Sequence, residues 1–140
     1  MRISLKANIW TFIAAANGFI AVAASALGAH MLKSTLSPEQ LSWFSDAAEF
    51  QMSHALALFF TGLLLANTSE RNQRAVHFAG MAFTAGILLF CGTLYWLAIF
   101  GSGSLGIFHV LTPVGGMALL AGWLALIVAN FRTLFPGDKT

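Results

Sequence analysis

Residues 75–100 read AVHFAGMAFTAGILLFCGTLYWLAIF and contain no Asp, Glu, Lys or Arg. As a helix rising 1.5 Å per residue, this stretch covers about 39 Å, more than the roughly 30 Å hydrocarbon core of a bilayer. A polar connector, Asn67 to Arg74, precedes it. The uncharged turn Gly101-Ser102-Gly103-Ser104-Leu105-Gly106 follows it. These limits define a transmembrane helix, and the chain on either side repeats the pattern.

After the turn, residues 107–131 form another charge-free span, with Pro113 about two turns in, where a bend is expected. Before the connector the signal is mixed. Ser37-Pro38-Glu39-Gln40 is a helix start, with a serine cap, proline at the first helical position and glutamine at the third. The fully apolar run from Ala55 to Ala66 is too short to span alone, so the helix must draw Ala47 through His54 into the membrane. In residues 38–47 and just beyond, Ser42, Ser45, Asp46, Glu49 and Ser53 make a polar stripe beside the apolar Leu41, Phe44, Ala48 and Met52. The expectation is an amphipathic outer segment that continues into the span. The N-terminal run, Ile9 to Leu27, has Arg2 and Lys6 before it and Ala24-Ser25-Ala26 near its end, features shared with signal peptides. It is read as a retained transmembrane helix.

The chain is thus expected to be all-α: one four-span membrane domain over residues 1–140. The spans fall at about 8–29, 47–67, 75–100 and 107–131, with the amphipathic segment at 38–47. Composition agrees. Hydrophobic residues make up 58% and charged residues 9% of the 140 residues, and the mean hydropathy is +0.78. A soluble domain carries about 25% charged residues, so a soluble enzyme and a nucleic-acid binder are excluded. Cys91, the single cysteine, cannot form an intramolecular disulfide and reads as a small buried hydrophobe. Basic residues set the orientation. Arg2, Lys6, Arg71, Arg74, Arg132 and Lys139 fall on one side and Lys33 alone on the other. By the positive-inside rule both termini are cytoplasmic, in a cell inner membrane.

Lipid gives helices no hydrophobic reason to associate, so close approach depends on small residues. Span one offers Ala14, Gly18, Ala21, Ser25 and Gly28 at alternating four- and three-residue spacing. Span four offers Gly115, Ala118, Gly122, Ala125 and Ala129, and span three Ala75, Ala79, Ala82 and Gly86. These are expected helix-packing seams of a four-helix bundle. Trp10, Trp96 and Trp123 are placed near span ends, as amphipathic rings prefer. No internal repeat suggests an inverted-repeat transporter.

Polar groups at membrane depth mark where function would lie. His30, Gln51, His54, Tyr95 and Thr112 all fall toward the outer side and form the candidate pocket, with His109 nearby. Asn17 is expected to bond across helices and His77 to join the inner headgroup region. The favoured reading of the pocket is interhelical hydrogen-bond glue. The others are a proton or small-ligand path and a metal or haem site, since imidazole ligates metals. No metal ligand set is expected, because no single helix carries a HxxxH or HxxE pair. No catalytic residue and no cofactor are expected, as no nucleophile elbow, phosphate loop or dinucleotide fingerprint occurs.

Gly28-Ala29-His30, Leu36-Ser37-Pro38-Glu39-Gln40-Leu41, Gln51-Met52 with His54-Ala55-Leu56-Ala57-Leu58, Gly92-Thr93-Leu94-Tyr95 and Thr112-Pro113-Val114-Gly115-Gly116 occur in this order. On these motifs the chain resembles the YgdD/YwdK-like small membrane proteins, a domain of unknown function, over nearly its whole length. The resemblance implies a four-span inner-membrane protein with no established activity, so it carries over no catalytic residue. It places His30, Gln51, His54, Tyr95, Thr112 and Pro113 within family motifs. His77 and His109 lie outside them, and Glu49 and Ser53 depart from the basic and aromatic residues common there. The leading expectation is a non-enzymatic accessory or scaffold component, with the lipid bilayer and a larger membrane complex or a homo-oligomer as partners. A small channel or transporter through the Gln51/His54 region is the alternative. A haem or metal protein using His30 and His54 is the third.

Overall fold

A computed structural model describes residues 5–134, with side chains described for residues 9–131. Arg2 and Lys139, which enter the orientation reading, lie outside the described residues. The helices are α1 (Leu5–His30), α2 (Pro38–Asn67), α3 (Glu70–Gly86), α4 (Gly92–Phe100) and α5 (Leu111–Leu134). A five-residue π-helical turn, Ile87–Cys91, joins α3 to α4, so that Glu70–Phe100 is one span. Among the described residues four helices are long and apolar enough to cross a membrane: Ile9–His30, Pro38–Asn67, Glu70–Phe100 and Gly106–Phe131. Among the described residues there is no strand.

Local chemistry explains the boundaries. Ser37 Oγ accepts from the Gln40 amide at 3.2 Å, and the Gln40 side-chain oxygen accepts from the Ser37 amide at 3.1 Å. This reciprocal pair satisfies two of the helix start's free N–H groups. From Pro38 the helix runs 30 residues without interruption, about 45 Å at the α-helical rise. Two glycines with positive φ, Gly101 at 91° and Gly106 at 52°, shape the turn after α4. Other side chains adopt such angles only at a steric cost. The fourth span begins differently from the sequence expectation. Gly106–Val110 is a 3-10 turn and the α-helix starts at Leu111. Pro113 therefore lies in the first helical turn, where its missing N–H breaks no intrahelical bond. The irregularity comes before the proline.

The spans pack in sequence, α1 on α2, α2 on the α3–α4 span, and that span on α5. Half of the most apolar window of α2 is buried (50%), against 22% for α1 and for the last span. So α2 is the central helix. Its buried residues, Ala57 apart, are Phe44, Ala47, Ala48, Gln51, His54, Ala55, Leu58, Thr61, Gly62 and Leu65, and they follow helical spacing along its whole length. Ser42, Ser45, Asp46, Glu49 and Ser53 are exposed on the other side. Phe83, Leu58 and Val76 centre the main core, and Ala24, Phe44, Ala48 and Ala98 form a second cluster near the α1–α2 connection.

The close approaches are concentrated between the last two spans. A Cβ at Gly86 would stand 2.6 Å from Leu119 Cγ, and one at Gly122 2.6 Å from the Phe83 ring. At Gly115 it would meet backbone: the Leu89 carbonyl carbon at 2.9 Å and, closer still, the Phe90 amide nitrogen. A Cβ at Gly28 would stand 3.2 Å from the Phe44 ring. Gly18 has nothing within 4 Å, and Ser25 is exposed. The buried line of α1 instead passes through Trp10, Ala14, Ala21, Ala24 and Gly28, with half-buried Asn17 between Ala14 and Ala21. It keeps the four-and-three spacing but runs through Asn17 and Ala24, one position before Gly18 and Ser25. The shift has a physical reason. The two stripes share Ala14, Ala21 and Gly28, and Trp10 packing over Gly80 together with Asn17 bonding to α2 selects the one that carries them.

Candidate functional site

The polar side chains inside the spans form separate hydrogen-bonded groups. The first joins three spans. Tyr95 on α4 donates its hydroxyl to Gln51 Oε1 on α2 at 2.9 Å. Gln51 Nε2 donates to Asn17 Oδ1 on α1 at 3.0 Å, and Asn17 Nδ2 donates to the Ile13 carbonyl at 2.9 Å. Gln51 is only 5% exposed, so its amide depends on these partners rather than on water. Every donor points the same way, from α4 through α2 to α1.

The second group surrounds His54. Its Nδ1 donates to the Phe50 carbonyl at 2.8 Å, since a carbonyl can only accept. Its Nε2 accepts from Trp123 Nε1 at 3.3 Å. The imidazole is therefore neutral, with the proton on Nδ1. The rings of Phe50, Phe83 and Trp123 enclose it, with centroids at 5.9, 5.8 and 6.2 Å. A metal would need the Nε2 lone pair, which the indole N–H already engages. Trp123 lies well inside the 24-residue α5 rather than near a span end. Its N–H reaches a histidine instead of the headgroups, which accounts for the departure from the sequence expectation.

The third group lies where α4 meets the start of α5. Thr112 donates to Thr93 Oγ1 at 2.8 Å. Thr93 in turn donates to the carbonyls of Leu89 and Phe90 at 2.6 and 3.0 Å. Both carbonyls belong to the π-helical turn, which disrupts the regular ladder and leaves backbone groups in need of partners. Gly115, one turn from Thr112, lies against the same backbone.

A further pair lies outside the candidate pocket. Trp10 Nε1 donates to His77 Nδ1 at 3.2 Å, with the rings edge to face. His77 thus bonds to α1. Its chemistry mirrors that of Trp123 and His54: in each pair an indole on a peripheral helix donates to a neutral imidazole on an inner one.

The structure therefore brings Gln51 together with Tyr95, and Thr112 together with Thr93, and it turns His54 toward α5. His30 is exposed at the end of α1. Near that end Gly28 touches Phe44, and Phe44 lies ten residues, about 15 Å along α2, from His54. His109 is exposed and bonds to the Gly106 carbonyl at 2.7 Å. Two cavities, about 310 and 430 Å³, lie between α1 and α2 and share Ser25 and Ser45. None of His30, Gln51, His54, Tyr95 or Thr112 lines either one. Among the described residues no group of three or more His, Cys, Asp or Glu side chains comes together as a metal site. Sequence reasoning did not include Trp123 or Thr93 in the pocket. Thr93 carried a signal, its place beside Tyr95 in Gly92-Thr93-Leu94-Tyr95, whereas Trp123 carried none.

Four apolar helices whose interior polar groups bond to one another define a small helical membrane protein. Residues 24–116 match the family described as protein of unknown function (DUF423). The chain is 36% identical over 125 residues to a UPF0382 membrane protein of Staphylococcus epidermidis, covering 89% of this chain and 97% of that protein. It is 36% identical over 128 residues to the UPF0382 inner membrane protein YgdD of Escherichia coli K12, covering 91% of this chain and 93% of that protein. The chain belongs to this family of membrane proteins of unknown function. No solved structure matches it.

Proposed function

We propose that this protein is a non-enzymatic accessory or scaffold component of a larger complex in the inner membrane. The observation that carries the reading is how the polar groups are used. Gln51 is bonded through both ends of its amide, and His54 through both ring nitrogens. A catalytic or conducting site keeps a lone pair, a proton or a water path free for its substrate. These groups instead fix which helix faces which. Both termini lie in the cytoplasm, on the side of Arg71 and Arg74. The outer third of α2 lies in the interfacial zone, because a helix of about 45 Å exceeds the roughly 30 Å core.

The test is to purify the native protein in mild detergent, measure its visible absorption and metal content, and identify what copurifies in stoichiometric amount. The expected sample is colourless and metal-free, with a stoichiometric membrane-protein partner. Stoichiometric haem or metal that is lost in His54→Ala would overturn the reading and make the histidine a ligand.

A further inference from the structure

On the face of the bundle between α3 and α5 lies an apolar groove of about 440 Å³. Ala75 and Phe78 line one wall, and Ala121, Leu124, Ala125 and Val128 the other. The α5 residues stand at i, i+3, i+4 and i+7, which is one helical face. On α3 the same register, read from its start, is Arg71, Arg74, Ala75, Phe78. Both arginines therefore stand on the helix face that forms the groove, at its end nearest the start of α3. Both are exposed. Alanines at 75, 121 and 125 leave the space that longer side chains would fill.

We propose that this groove is a phospholipid site. One acyl chain lies along α3 and α5, and an anionic headgroup rests on Arg71 and Arg74. The chemistry is complementary at both ends. The walls offer an acyl chain apolar contact along two turns. The guanidinium groups offer forked N–H donors that match phosphate oxygens, and basic side chains at a membrane surface attract anionic lipid. A second copy of this chain is a poor occupant, because two copies related by a two-fold along the membrane normal would bring both Arg71 and Arg74 pairs to the same depth on the shared face, where like charges repel. The proposal does not depend on the accessory reading, since it concerns only the lipid face.

The experiment uses the full chain, purified and delipidated in a neutral detergent, with the thermal unfolding midpoint followed as lipid is added. Phosphatidylglycerol is compared with phosphatidylcholine of the same acyl chains and with chain-free glycerol phosphate. Phosphatidylglycerol should reach half-effect at a concentration lower by about tenfold or more, since each arginine near the surface contributes about fivefold. Glycerol phosphate should give no shift. Arg71→Gln with Arg74→Gln should abolish the preference while leaving the lipid-free midpoint unchanged, because both side chains are exposed. Ala121→Leu, which fills the groove and keeps the charge, should weaken the phosphatidylglycerol effect. Equal effects of the two lipids, a preference that survives the double glutamine variant, or a full shift with glycerol phosphate would each overturn the site.

Discussion

Two interfaces of the bundle are held by different means. Toward α1 the contact runs along alanines, Ala14, Ala21 and Ala24 on one helix and Ala47 and Ala48 on the other, and is fastened by the Asn17–Gln51 bond of 3.0 Å. Between the α3–α4 span and α5 the contact runs along Gly86, Gly115 and Gly122, where a single methyl group would overlap a neighbour. Lipid supplies no hydrophobic drive for either contact, so each must gain from dispersion at close range or from polar bonds. The first interface spends a buried amide, and the second spends backbone proximity. Backbone is the less forgiving partner, because a displaced main chain carries its hydrogen bonds with it.

The largest expected effect is therefore at Gly115. Gly115→Ala places a methyl group against the Phe90 amide and the Leu89 carbonyl carbon within the π-helical turn. Neither can rotate away as a side-chain tip does. Overpacking of this kind costs about 1–3 kcal/mol, and the Thr112–Thr93 bond should loosen with it. Thermal unfolding in detergent, or graded unfolding by added sodium dodecyl sulfate, reads the loss directly. A variant as stable as the parent would show that the α3–α5 contact is slack.

The other interface should respond less. Gln51→Leu keeps the volume but leaves the Tyr95 hydroxyl and Asn17 Oδ1 without their bonds. Interhelical hydrogen bonds in membranes average about 0.6 kcal/mol and reach about 1.7 kcal/mol. The pair together is then worth roughly 1–2 kcal/mol. A double-mutant cycle with Tyr95→Phe sharpens the point, since bonds in one chain should give a non-additive sum. Additive losses would mean that Gln51 and Tyr95 act separately.

How much of this was legible in the sequence depends on whether a feature is local. The capping pair at Ser37 and Gln40, the four apolar helices and the exposed polar stripe from Ser42 to Ser53 follow from spacing along one segment. Residue chemistry was legible too, because Gln51, His54, Tyr95 and Thr112 stand out against an apolar background. Their pairing was not. Gln51 and His54 are three residues apart on one helix, yet the first bonds toward α1 and α4 and the second toward α5. That division follows from the order of helices around α2, which no local pattern encodes. The π-helical turn was equally hidden. Ile87–Cys91 reads as an ordinary apolar run, and its partners Thr93, Thr112 and Gly115 reveal it only once two spans are side by side.

The choice between two overlapping stripes on α1 gives the smallest and sharpest prediction. Gly18 belongs to the stripe that residue size alone would favour, but it has nothing within 4 Å. Gly18→Ala therefore adds a methyl group to open space. It also removes the conformational freedom that makes glycine about 1 kcal/mol worse than alanine in a helix. The expected result is a stability unchanged or raised by a few tenths of a kcal/mol, read in the same unfolding assay as Gly115→Ala. A marked loss would mean that something outside this chain occupies the space beside Gly18, such as a partner helix seated on that face of α1. The same substitution thus reports on packing within the bundle when the protein is purified, and on its neighbours when it is compared in native membranes.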